Sequence, residues 1–457
     1  MTCSRRVAPV LILTALLAWP GCRKSRPAEE RAPGGEVAAP VDPAATPTDP
    51  EVEDDSDGED DEVSDRRGRG DGRERPRDRN PLGDIGYVDF DEDEDSADAD
   101  KEGVVIHDPA LASPGYTLYT SMPFATARLI DAEGAVVKEW SEPQSKEWSR
   151  AELDADGNLL IVGIDPREKD AEADTPNAFG YLMRMTWEGD VIWKKTLATH
   201  HDADITPDGY IVSLDDCVRS VPDFGPDVLI RDNHVIRLTL DGEKVDQRSL
   251  YDVFTSNPEL VTVELPKKVF KEGGAKIDIF HANSVEWMRF PELVPRHEIY
   301  GLDNVIVSSR LQDTTVIFNW TTGKLLWAWG RGQTEGQHEA TVLANGNILI
   351  FDNGMRRKWS RVIELDPLTN KIVWEYKGDP PDSFYSAARG TSEPLPNGNV
   401  LVGLSNSGAG VEVTRDGKVV WRFLNPDRNE DGKRAVIRLR RYSVDFIKAI
   451  LERHRTE

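Results

Sequence analysis

Three histidines stand at one register of a repeated motif. His201-Asp202-Ala203-Asp204-Ile205-Thr206-Pro207-Asp208-Gly209 matches His338-Glu339-Ala340-Thr341-Val342-Leu343-Ala344-Asn345-Gly346, each histidine lying eight residues before a turn glycine. His281, in Phe280-His281-Ala282-Asn283-Ser284-Val285, opens a third copy. Imidazole changes charge near neutral pH, and in its neutral form it is a nucleophile, a proton carrier or a metal ligand. Any one of these histidines is simply explained as a hydrogen-bonded strand start. Three at one register become a cluster if the repeats surround an axis. Ser149 and Gly390 hold the same register in two other copies, and their small size leaves room for a ligand. Arg310, after Val307-Ser308-Ser309, brings a planar cation whose forked donors suit a tetrahedral oxyanion. Its blander alternative is a salt bridge to a local carboxylate. A cation in the pocket opposes a three-histidine zinc site, so no metal is expected. Serine hydrolysis lacks its Gly-x-Ser-x-Gly elbow, and no glycine-rich nucleotide loop is present.

The repeat supplies the axis. Gly134, Gly189, Gly242, Gly323, Asn370 and Gly417 mark one turn of each unit, at spacings of 55, 53, 81, 47 and 47 residues. The long spacing holds an inserted loop, roughly Asn257 to Gly274, and another from about Pro291 to Glu298. A second turn recurs as Asp156-Gly157, Asp208-Gly209, Asn345-Gly346 and Asn397-Gly398 between apolar runs, which predicts hairpins with type I′ turns. Four antiparallel strands per unit of about 40 to 50 residues indicate propeller blades. The fold class is all-β, a six-bladed β-propeller. Only two strands precede the first marker, and a spare run, Ala435 to Tyr442, follows the last. That run is expected to enter the first blade as its innermost strand and close the ring. A short helix from Val444 to Arg453 ends the chain.

Residues 1–22 read as a lipoprotein-type signal peptide, with Arg5 and Arg6 before an apolar run too short to span a bilayer. Pro20-Gly21-Cys22 resembles a lipoprotein cleavage site, so Cys22 is the candidate lipidation site and membrane anchor, with ordinary secretion as the alternative. This places the protein outside the cytoplasm, in the periplasm or at the outer membrane. Residues 23–104 are rich in Pro, Ala, Gly, Asp and Glu, and read as a disordered acidic tether. Asp91 to Asp95 have no calcium-loop spacing. The Arg-Gly stretch from Arg66 to Arg79 lies among more numerous acids, and no nucleic-acid partner is expected. Much of the net charge of −26 belongs to this tether and says little about the site. The propeller domain is expected over 105–457. Of three cysteines, only Cys217 lies within it, so it holds no internal disulfide.

The segments His200-His201-Asp202, Phe280-His281-Ala282-Asn283-Ser284, Ser308-Ser309-Arg310, Gln337-His338-Glu339-Ala340 and Phe351-Asp352-Asn353-Gly354, followed by Arg357 and Ser360-Arg361, occur in this order. Together they resemble the bacterial arylsulfate sulfotransferases, six-bladed propellers of the periplasm. The resemblance spans nearly all of residues 106 to 445. It implies ping-pong transfer of a sulfuryl group from a phenolic sulfate donor to a phenol acceptor, with no nucleotide sulfate and no redox cofactor. It assigns the nucleophile, forming a sulfohistidine, to His338. His201, His281 and Arg310 become the other catalytic residues, and Asn283 and Thr391 contact the sulfate. The chain departs from the family in lacking the extra N-terminal β-domain and its disulfide. Two further readings stay open: a non-catalytic propeller scaffold at the outer membrane, and a sulfatase passing the group to water.

Overall fold

The computed structural model of the chain describes residue 98 and residues 100–166, 179–225, 228–265 and 276–455. The signal segment with Cys22, nearly all of the tether and the later part of the Asn257–Gly274 insertion lie outside the described residues.

Six sheets, antiparallel but for one short parallel pairing, form the blades of a β-propeller. The inner strands of blades 2 to 6 are Glu147–Leu153, Thr199–Ile205, Ala282–Trp287, His338–Val342 and Thr391–Pro394. In blade 1 that place is taken by Val436–Tyr442, which pairs with Tyr116–Met122 from end to end. The ring is thus closed by the chain's last strand, as its repeat arithmetic predicts, and the helix Val444–Arg453 follows. Two strands were not anticipated, and one of them, Lys276–Asp278, runs parallel to the start of Leu229–Thr239 in blade 3. The other, Gly103–His107, lies along Val419–Leu424 and caps the outer edge of blade 6. It starts within the span assigned to the tether, and Asp98 just before it pairs with Arg422 at 2.7 Å. Gly103–His107 thereby becomes the outermost strand of that sheet, and its five residues make only a short edge.

The blade sequences are apolar on both faces because each sheet packs against two neighbours. Leu159–Ile164 is buried over nearly its whole length. Six apolar clusters result, one in each seam between blades. The outer-strand tryptophans staple the seams. The indole N–H of Trp140, Trp193, Trp327, Trp374 and Trp421 each donates to a turn carbonyl of the next blade, at 2.9 to 3.1 Å. Trp421 reaches Ala132 and so joins the last blade to the first. Between blades 3 and 4, Arg248 Nε takes this role on the Trp320 carbonyl.

The hairpins depart from the type I′ expectation. Only the glycine has positive φ, as at Gly157 (89°) and Gly346 (90°). Its N–H closes a four-residue turn onto the carbonyl three residues earlier, Asp154 and Leu343 respectively. This is the three-residue hairpin with a glycine bulge.

The inner strands carry bulges at a shared register. Pairing slips at Trp148/Arg150, at Ala282/Ser284, at His338/Ala340, and opposite Ser213/Leu214 in blade 3. Each bulge lies at the mouth where the inner strands begin. Deleting residues 435–457 would leave Tyr116–Met122 as an open inner edge and strip the seam clusters on both sides of blade 1. The truncated chain is expected to lose its cooperative thermal transition by circular dichroism. A transition at the full-length Tm would contradict closure by this strand.

Candidate active site

His201 lies in the blade 3 bulge with φ of 61°, and His281 just before its strand has φ of 45°. Left-handed backbone is costly for residues with a Cβ, so such outliers point toward a functional constraint. Both side chains turn to the channel mouth, where their Nε2 atoms stand 3.2 Å apart. Asp278 grips His281 twice. Its Oδ1 accepts the His281 backbone N–H at 2.9 Å, and its Oδ2 lies 2.8 Å from Nδ1. An ionised carboxylate only accepts, so Nδ1 of His281 carries a proton. In the neutral pair, His281 Nε2 is then the acceptor and His201 Nε2–H the donor.

His338 begins the inner strand of blade 5. Its Nδ1 faces two oxygens, Asn353 Oδ1 at 2.7 Å and the Gly336 carbonyl at 3.0 Å, and so bears the proton. The Asn353 amide is itself fixed, since its Nδ2 donates to the Ser386 and Arg389 carbonyls. Nε2 of His338 is left as an acceptor and receives the Arg389 N–H at 3.2 Å. The unprotonated nitrogen is thus engaged by a backbone N–H, and both His338 and Arg389 belong to the wall of a cavity.

A cavity of about 30 Å³ gathers His201, His338, Asn283, Thr391, Ser149 and Gly390 in its wall, with Met122, Ile437 and Arg438 from blade 1. Gly390 is small for a second reason, because a Cβ there would stand 2.4 Å from the Phe351 ring. Asn283 Nδ2 donates to the Gln337 carbonyl at 2.9 Å. Its Oδ1 and the Thr391 hydroxyl are buried with no protein partner among the described residues, which leaves bonding capacity for a ligand. His281 and Arg310 stand behind this wall. Arg310 opens a single 3₁₀ turn after Asn304–Ser309 instead of ending that strand. It is 2% exposed. Its backbone N–H donates to the His281 carbonyl at 3.3 Å, and its Nη2 lies 3.3 Å from Met355 Sδ. A larger cavity of about 190 Å³ runs down the channel below. No histidine lines it.

Sequence reasoning missed the supports. Asp278 lies three residues before His281 in the same segment, a spacing that offered the one available clue. Arg231 bridges Asp278 at 3.1 Å to Asp216, and Asp216 meets His200 Nε2 at 3.1 Å. A buried charge network thus runs behind the histidine pair. Asp352 holds Arg357 and Arg361 at 3.0 and 2.8 Å, so this part of the motif buttresses Asn353.

Burial pushes all three histidines below the usual imidazole pKa of 6.5. Arg310 pushes His338 further down. His200, His281 and His338 do the same to His201. Asp278 opposes the shift of His281 without cancelling it. For Asp278, burial is outweighed by His281 and Arg231, which hold it below the ordinary carboxylate range. Below pH 6.5 the unfolded chain binds more protons than these folded histidines do. They therefore lower stability as pH falls through that range, and contribute no loss above it. Among the described residues no group of three His, Cys, Asp or Glu side chains is arranged to hold a metal.

Residues 170–426 match the family model described as arylsulfotransferase (ASST), which covers more than half of the chain. The match runs from within blade 2 to the end of blade 6 and takes in all three histidines and Arg310. No curated protein matches. Among solved structures, the chain is similar to a protein of unknown function from Bacteroides caccae, at 15% identity over 71% of this chain and 98% of that one, with a TM-score of 0.46. It is also similar to a streptogramin B lyase, at 12% identity over 75% and 93%, with a TM-score of 0.40. A catalytically inactive virginiamycin B lyase from Staphylococcus aureus gives 12% identity over 71% and 88%, with a TM-score of 0.40. Likenesses this distant carry nothing about activity.

Because Arg310 disfavours a proton on His338, Arg310→Gln is expected to raise the His338 pKa toward 6.5. Histidine-selective NMR titration measures it. A downward shift, or none with the fold intact, would count against Arg310 as the source of that field.

Proposed function

The chain belongs to the arylsulfotransferase family, and from that premise we propose that it moves a sulfuryl group from a phenolic sulfate ester to a phenol through a sulfohistidine. The observation that carries this reading is the unprotonated Nε2 of His338, a residue of the cavity wall whose proton is fixed at Nδ1 by the Asn353 and Gly336 acceptors.

In the first half-reaction, His338 Nε2 gives up its hydrogen bond from the Arg389 N–H and attacks the ester sulfur. An S–N bond forms, the S–O bond to the aryl group breaks, and its electron pair leaves with the phenoxide. The His201–His281 pair gives that oxygen a proton. In the second half-reaction a phenol returns a proton to the pair and attacks the sulfohistidine, releasing His338. Sulfuryl transfer, like phosphoryl transfer, needs alignment and charge stabilisation more than covalent machinery. Asn283 and Thr391 would hold equatorial oxygens, and Arg310 supplies positive potential from behind. The anionic ester also raises the proton affinity of the histidine pair, which restores an acid that burial otherwise suppresses. No nucleotide sulfate, redox cofactor or metal enters. We further infer export, with lipidation at Cys22 as the anchor at the periplasmic face or outer membrane.

Incubating the purified protein with an aryl sulfate, with and without a phenol acceptor, tests the reading. Acceptor-dependent product is expected, falling by roughly 10³-fold or more in His338→Ala, since truncating a nucleophile removes the covalent route. Release without acceptor would identify a sulfatase. No turnover across a broad donor panel by a folded protein would leave the scaffold reading. Asp278→Asn keeps the shape but swaps an acceptor-only group for one that also donates. Its kcat is expected to drop by about 10²-fold, the scale of one proton-transfer catalyst.

A further inference from the structure

Each of two site histidines is followed by an acid: His201 by Asp202, and His338 by Glu339. Regular alternation would send the acid to the opposite face of the sheet from its histidine. The bulges cancel that, with φ of 61° at His201 and 42° at Glu339, and both acids turn into the channel. There they meet two arginines. Arg150 Nη1 lies 2.8 Å from Asp202 Oδ1 and 3.4 Å from Glu339 Oε1. Arg438 Nη2 donates to Glu339 Oε2 and lies 3.6 Å from Asp202 Oδ1, while its Nη1 donates to the His201 carbonyl at 2.6 Å. Four charges from blades 1, 2, 3 and 5 thus cross the channel: all four line the larger cavity, and Glu339 and Arg438 line the small one as well. Arg438 lies on the ring-closing strand, outside the residues that match the family model.

We infer that Arg438 is a positioning residue: by tying the His201 carbonyl to Glu339, it holds the two bulges that aim His201 and His338, and makes assembly of the site depend on closure of the ring. A buried quartet of this kind is weak evidence for stability, because desolvation offsets most of the attraction between the charges. Its geometric effect is better defined. One guanidinium fork spans the channel from the blade 3 backbone to the residue after the proposed nucleophile. Loss of that span displaces His201 relative to both His281 and His338.

The inference rests on the proposed reaction for its kinetic arm only. Two variants of the full chain separate position from folding. Arg438→Lys keeps the charge but loses the fork, and Glu339→Leu with Arg438→Met replaces the ion pair by apolar groups. In both, kcat for aryl sulfate is expected to fall roughly 10- to 100-fold with KM little changed, the effect of misaligned reacting groups. Thermal denaturation is expected to stay close to wild type, and the imidazole nitrogen resonances of His201 and His281 to lose their hydrogen-bonded signature. Arg438→Lys with wild-type kcat, or with unchanged His201 and His281 resonances, overturns the inference. So does a folded double variant that turns over normally. If the wild-type protein turns over no aryl sulfate, the functional reading fails separately, and the resonances of Arg438→Lys alone decide: altered supports the inference, unchanged overturns it.

Discussion

A regular strand points only every second side chain at the channel, and this site needs more than that. Bulges meet the need at the mouth, where the innermost strands begin. In blade 3 the bulge brings a histidine and its following acid inward together, and in blade 5 it does so again. In blade 4 it places Asn283 at the cavity wall beside a strand that His281 opens. The cost appears as left-handed backbone at His201, His281, Glu339 and Arg389, half of the eight non-glycine residues with positive φ among those described. Backbone of this kind persists only where the surroundings over-determine it. The surroundings are a closed ring.

Closure is consequently more than protection of a sheet edge. Apolar clusters and indole staples lock every seam in angle, so that six strand starts converge on one mouth. Rigid seams let short polar contacts act across blades. Asp202 accepts the blade 4 backbone N–H of Val285 at 2.9 Å. Asn283 of blade 4 donates to Gln337, the residue before His338. Without fixed seams these bonds would not hold their register.

The architecture was legible because turn glycines and apolar runs are local signals repeated six times, and repetition averages out their ambiguity. The same logic found the three histidines, which share a register. The turn type was misjudged because an Asx-Gly pair fits two hairpin geometries, and the left-handed state of the residue before glycine decides between them. The supports were hidden for a different reason. Arg438 acts across blades, and no spacing within one repeat encodes a partner in another, whereas Asp278 and Asn353 meet histidines of their own segment and blade through contacts that the other repeats do not share. Arg150 and Arg438 read as ordinary strand residues until their neighbours across the channel are known. The first strand of the described chain, Gly103–His107, was missed because it adds a fifth strand to the last blade and so follows no repeat.

The electrostatics of the mouth follow from one asymmetry. The positive charge of Arg310 lies behind the wall and acts on both His338 and His281, while the negative charge of Asp278 lies against His281 and opposes it there. The same environment then treats two imidazoles differently. Arg310 removes the proton that would quench a nucleophile, whereas Asp278 supports a proton on the neighbouring pair against the push of burial. In the proposed reaction the donor and acceptor are both phenols, so no net proton is gained or lost over a full cycle. The pair needs to release one proton in the first half-reaction and regain one in the second, and a single Nε2 to Nε2 bond shared by two imidazoles is suited to carrying one proton and not two, because a second would set like charges face to face. In that reaction, a nucleophile kept unprotonated and a proton carrier kept singly occupied are thus two outcomes of where one arginine and one aspartate stand.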